Sequence, residues 1–102
     1  MIARLWHGVT EASKADEYLA FVRKRAIPAY TSVAGNQGAY VLRRIEGTRA
    51  HFLTLSFWSS LDAVRGFAGE DVEQARYFPE DDAYLLEFEP NVKHYELFST
   101  EA

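Results

Sequence analysis

In the run His51-Phe-Leu-Thr-Leu-Ser-Phe-Trp58, both alternating sets of side chains are substantially apolar. One set is His51, Leu53, Leu55 and Phe57; the other is Phe52, Thr54, Ser56 and Trp58. Successive side chains of a strand point to opposite faces, so this strand asks to be covered on both sides. The opening segment behaves alike. Met1 to Val9 is short and apolar, with Ala3, Leu5, His7 and Val9 opposing Ile2, Arg4 and Trp6, and with Gly8 and Thr10 at its end. An antiparallel sheet that meets water on one side usually shows a polar face there. Neither strand does.

Between and after these strands the period changes. Ala15, Tyr18, Leu19, Val22 and Ala26 recur at helical spacing behind a Ser13–Asp16 capping box. This predicts a helix from about Ala12 to Ala26 or Ile27, stopped by Pro28. Gly35-Asn36-Gln37-Gly38 is turn chemistry, a second strand follows from Ala39 to Ile45, and Glu46-Gly47-Thr48 reverses it into His51–Trp58 as a hairpin. Ser59 or Ser60 caps a second helix through Leu61, Ala63, Val64, Phe67 and Ala68. Beyond Gly69 a further helical turn is expected over Asp71 to Tyr77, then a polar loop at Pro79-Glu80-Asp81-Asp82 and a last strand from Val92 to Phe98. Ala83 to Phe88 is ambiguous.

The order β-α-β-β-α-β is that of the ferredoxin-like split unit: α+β, a four-stranded antiparallel sheet of order 4-1-3-2, and two main helices on one face. Two helices cover one face only. The economical cover for the other is the same sheet from a second copy, so a homodimer is expected. The aromatic share, 15% of 102 residues, asks for the same extra burial. One domain spans 1–102, with no linker and no internal repeat.

Several function classes lose support. Cysteine is absent, which removes disulfides, thiolate nucleophiles and Cys-ligated metal centres. No apolar run approaches the ~20 residues of a membrane span, and the first segment reads as a strand, so a cytoplasmic protein with no membrane partner is expected. The net charge of −4 hides a split: residues 1–69 carry nine Lys/Arg against five Asp/Glu, residues 70–102 two against ten. A nucleic-acid binder needs a clustered basic face. Here Arg23-Lys24-Arg25 fall on a helix, and Arg43-Arg44 point to opposite faces of a strand. Solvated surface is the ordinary reading of these groups, the other being one arginine that steers an anionic ligand. No phosphate-binding glycine loop and no G-x-S-x-G elbow is present.

The run from His51 to Trp58 leading straight into Ser59-Ser-Leu-Asp-Ala-Val-Arg-Gly-Phe67 resembles the strand-to-helix passage of the antibiotic biosynthesis monooxygenase family, in the dimeric α/β-barrel superfamily. The element order and length agree over nearly the whole chain. The resemblance implies two sheets packed face to face in a dimer, with a pocket in each subunit between its helices and its sheet. It also implies a monooxygenase that works on a small phenolic or quinone-like ligand without a bound cofactor. A haem-degrading branch is disfavoured: the positions of its asparagine, tryptophan and histidine hold His7, Phe67 and Tyr77 here.

His7 lies late in strand one, His51 at the start of strand three and His94 near the start of strand four. Antiparallel neighbours bring all three to one end of the sheet. If their faces agree, they converge as a base or, as a lesser alternative, a metal site; otherwise they are separate strand-end residues bonded to nearby backbone. No metal is assigned. His7 is the candidate base and Tyr77 its catalytic companion, Tyr77 or Tyr95 positioning a substrate oxygen. Trp58, Phe67, Phe78, His51, His94 and Tyr95 are the candidate pocket lining, with core or interface packing the ordinary alternative for each aromatic. Two other functions stay open: a non-catalytic binding or stress-related module, and an isomerase-like enzyme.

Overall fold

The structure, a computed structural model, describes residues 1–99. Its strands are β1 (Ile2–Glu11), β2 (Asn36–Glu46), β3 (Arg49–Trp58) and β4 (Lys93–Glu96), all antiparallel in the order β2-β3-β1-β4. That is the expected order read from the other edge, and the arrangement fits a ferredoxin-like fold. Strand β4 is shorter than expected. Gly47, at φ 60°, makes the left-handed turn that joins β2 to β3, a conformation costly for a residue with a Cβ.

A continuous helical path follows β1. It begins with a 3-10 turn (Ala12–Lys14) and continues through α1 (Ala15–Phe21), a π turn (Val22–Ala26) and α2 (Ile27–Thr31). The expected capping box at Ser13 is absent, because neither helical start carries a side-chain cap. The Asp16 carboxylate instead accepts from Arg43 at 2.7 Å. Pro28 does not end the helix as expected. The Ile27 N–H donates to Val22 O, five residues back, so the wider π turn sits where proline breaks the ordinary ladder.

Helix α3 (Leu61–Ala68) is capped by Ser60, whose Oγ accepts from the Ala63 N–H at 3.2 Å. It ends at Gly69, and the helical turn expected over Asp71 to Tyr77 does not form. The backbone there bonds sideways to a later segment: Ala75 N–H to Pro90 O and Val92 N–H to Glu73 O, both 2.8 Å. Those bonds satisfy peptide groups that a helix would otherwise have used internally. Pro79–Ala83 is a 3-10 turn rather than a polar loop, and Asp81 within it is buried.

All helices pack on one face of the sheet. Trp6, Phe52 and Tyr18 form one buried cluster with Val22 and Leu85, while Trp58, Tyr30, Val64 and Phe67 form a second. Each large apolar side chain so buried contributes roughly 1.5–3 kcal/mol. Gly8 belongs to this packing, since a Cβ there would lie 2.3 Å from the Trp6 ring. The opposite face has no cover among the described residues: Tyr40, Leu42 and Tyr95 are exposed, and Leu53, Leu55 and Phe57 half-exposed.

Candidate functional site

The β1–β3 register sets His7 opposite Leu53 and His51 opposite Val9. Both histidines therefore stand on the open face as diagonal neighbours, within side-chain reach. Their rings stack, with centroids 5.4 Å apart and planes 16° from parallel, and His7 Nε2 lies 3.1 Å from His51 Nδ1. A third group orients the pair. His7 Nδ1 lies 2.5 Å from a Glu89 carboxylate oxygen; in the neutral tautomer that donates there, Nε2 is the acceptor for the His51 Nδ1–H. At the far end, the Glu46 carboxylate lies 4.0 Å from His51 Nε2.

Glu89 reaches this place because β4 is short. Pairing of β1 with β4 ends at Leu5, and the preceding irregular segment covers the β1 edge beyond it. Leu86 N–H donates to Val9 O at 2.9 Å, and the Tyr77 hydroxyl donates to Glu89 O at 2.5 Å. Tyr77 thus holds the backbone that presents Glu89 to His7. Its own ring packs edge-on against Trp6 and Phe88, and burial pushes its hydroxyl pKa up.

Two grooves meet at His7. One, of about 410 Å3, runs over Leu42, Leu53, Arg44, Glu46 and His51. The other, of about 240 Å3, runs past Leu5, Glu89, Lys93 and Tyr95. Both lie on the uncovered side. The chemistry available is a carboxylate–imidazole–imidazole chain, a base oriented by a third group.

His94 does not join the other two. It pairs with Arg4, an even-numbered position of β1, and so points to the helix-covered side. Burial first, then the Arg4 charge, lowers its pKa, and its Nε2 is buried without a partner. Of the three histidines, two meet and the third is across the sheet. Among the described residues, no group of three or more His, Asp or Glu is placed to hold a metal ion.

The candidate pocket residues divide likewise. Tyr95 faces the open groove beside Glu89. Trp58 is fully buried, its indole N–H given to Ser56 Oγ at 2.9 Å. Phe67 stacks on Tyr30 at 4.2 Å within the same cluster. Phe78 lines the space between helices and sheet with Trp6, Tyr18, Tyr30, Thr54 and Asp81. That cavity measures about 20 Å3, room for about one water, and His7 faces away from it.

Asp81, expected in a solvated acidic loop, is instead buried. It accepts from the Tyr18 hydroxyl at 2.8 Å and the Phe78 N–H at 2.7 Å. Burial raises its pKa, opposed by those two bonds, and burial likewise pushes the Tyr18 hydroxyl up.

Glu89, Glu46 and Arg4 were not among the sequence candidates. Glu89 sits in a segment with no period to read. Arg4 did leave a signal, since it is the one charge between Ile2 and Trp6 on their face of β1.

No protein-family model matches the chain, and no curated protein matches it.

Proposed function

We propose that the chain is a homodimeric enzyme for a weakly acidic aromatic metabolite, in which the His7–His51 pair removes a proton. The open apolar face supports the dimer. Packed against a second copy as a dimeric α/β barrel, it would enclose the grooves beside His7. The observation that carries the reading is the Glu89–His7–His51 chain, because an oriented imidazole pair within a groove is what proton abstraction near neutral pH requires. The resemblance to the antibiotic biosynthesis monooxygenase family supplies the rest: molecular oxygen completes the reaction and no bound cofactor takes part. The imidazole pair accepts a proton from an activated CH2 carbon of the substrate, and the carbanion passes electrons to O2. One oxygen atom bonds to that carbon, the O–O bond breaks, and the second oxygen leaves as water with both hydrogens, so the CH2 becomes a carbonyl.

A second reading rests on the same 3.1 Å contact. Two imidazoles side by side can remove a proton at one carbon and return it at another, which is isomerase chemistry without oxygen.

Oxygen uptake with anthrone- and naphthol-type substrates tests the proposal. His7→Ala and His51→Ala should each lower kcat on the best substrate by about 10²–10⁴-fold. Unchanged turnover in both variants refutes the base assignment. Product formation under strict anaerobiosis selects the isomerase reading.

A further inference from the structure

The helix-covered side of β1 holds a charge that the chain does not balance. Arg4 is 1% exposed, and a guanidinium stays protonated even when burial lowers its pKa. Its acceptor is a neutral one, the Gln74 carbonyl at 3.1 Å, and its Nε is buried with no partner. Among the described residues, no carboxylate forms an ion pair with it.

A second guanidinium converges on the same place. The Arg4 and Arg76 guanidinium carbons lie 5.3 and 4.8 Å from the centre of the Phe67 ring, and Arg76 also covers Phe78 at 5.2 Å. Arg76 likewise spends a donor on a carbonyl, Phe67 O at 3.2 Å, and has no ion pair among the described residues. The nearby acid Asp81 gives its oxygens to Tyr18 and Phe78. His94, opposite Arg4 in the register, adds a buried, unpartnered Nε2. Two cations gathered round one ring with only neutral groups for company, two carbonyls and, beside Arg4, the Tyr30 hydroxyl, in a chain of net charge −4, is an arrangement that lacks its anion. A buried cation left uncompensated is strongly unfavourable, whereas a planar carboxylate satisfies an arginine fork with two parallel bonds.

We infer that Arg4 and Arg76 form a binding site for a small aromatic carboxylate, its carboxylate on the two guanidiniums and its ring among Phe67, Phe78 and Tyr30. The bound carboxylate takes the place of the Gln74 carbonyl on Arg4. Room for the ring comes from the segment 69–78, since the present cavity of about 20 Å3 is too small. The bonds that oppose that movement are those of Ala75 N–H to Pro90 O, Val92 N–H to Glu73 O, Arg76 to Phe67 O and the Tyr77 hydroxyl to Glu89 O, while Gly69 at the start of the segment has open space around it. The Arg4–Arg76 pair lies across the sheet from His7, but movement of 69–78 carries Tyr77, whose hydroxyl bonds Glu89 O, and so would also disturb the support of His7.

Benzoate is the probe and benzamide, its neutral isostere, the control, at matched ionic strength. At ten times its Kd, benzoate should raise the wild-type Tm by roughly 6 °C or more, and benzamide should not. Arg4→Met keeps the length and removes the charge. It should melt no lower than wild type without anion and lose the benzoate response. Arg76→Gln, at an exposed position, keeps the fold and should weaken benzoate at least tenfold. Equal effects of benzoate and benzamide on the wild type overturn the site, as does a full benzoate response in Arg76→Gln. A large drop in anion-free Tm for Arg4→Met, or failure to fold, also overturns it, because the charge would then be structural.

Discussion

Lysine substitution at Leu42 probes the proposed face-to-face dimer with a magnitude set by exposure. Leu42 is 45% exposed, on the open face between Tyr40 at 59% and Arg44. Complete burial of a leucine is worth about 1.5–3 kcal/mol, and a little under half of this side chain remains to be covered. Each copy therefore contributes about 1 kcal/mol to the dimer, and two-fold symmetry counts it twice. Losing about 2 kcal/mol raises Kd roughly 30-fold. Lysine beside Arg44 adds like-charge repulsion in the same direction. Extending the change to Tyr40→Lys doubles the loss to about 4 kcal/mol, close to a thousandfold. Sedimentation velocity over about 1 to 100 µM resolves these shifts for a wild-type Kd of about 0.1 to 1 µM. Far-UV circular dichroism should stay unchanged, because neither side chain enters the helix-side clusters. A wild-type chain that sediments as a monomer throughout refutes the reasoning, and so does a double variant with the wild-type Kd.

Trp58→Ala should cost about 3–5 kcal/mol, read by urea unfolding, because a fully buried indole bonded to Ser56 leaves both a cavity and an unpaired hydroxyl; a loss below about 1 kcal/mol would place Trp58 outside the core. The raised pKa of Asp81 makes a pH prediction. A carboxyl that holds its proton more tightly when folded contributes stability that is complete below its unfolded pKa of 3.8 and fades as pH rises through the folded value. Asp81→Asn lacks that fading, so its stability relative to wild type should improve from pH 3.5 towards neutrality, whatever its absolute level. A constant difference across that range refutes the assignment.

The sheet was readable because β1 and β3 are short apolar runs bounded by turn residues, whereas the sequence left open whether His7 and His51 share a face, which the β1–β3 register decides. Alternation could have excluded His94, had its register been known. One residue decides the face, and the strand's edges at Val92 and Phe98 were not sharp enough to fix it. The region after Gly69 was the least legible. Its structure depends on pairing between 73–75 and 90–92, contacts far apart in sequence that no local pattern announces. Pro28 misled for a related reason: a π turn upstream relieved the clash that normally ends a helix. Asp81 looked solvated beside Glu80 and Asp82, yet Tyr18 on α1 waits above it as a donor.

The two candidate sites share one strand. Arg4 and Trp6 point under the helices while Leu5 and His7 point to the open grooves, so only two residues of chain separate a buried cation from a half-exposed imidazole. A one-residue slip of β1 against β3 would exchange the sets and send the imidazole inside. Several features oppose that slip together. Gly8 yields its space to the Trp6 ring, Leu85 bridges Thr10, and the β1–β3 ladder runs unbroken from Ile2↔Trp58 to Glu11↔Arg49. The uncovered face then has a physical role beyond association. Charged side chains sit at the rim of its grooves, Glu46 and Arg44 at one end and Glu89 and Lys93 at the other, around an apolar middle of leucines. Covering that middle would remove water from the His7–His51 pair and strengthen every charge interaction around it. In the proposed dimer, association would be part of the chemistry: proton transfer and subunit association should fail together when the open face is made polar.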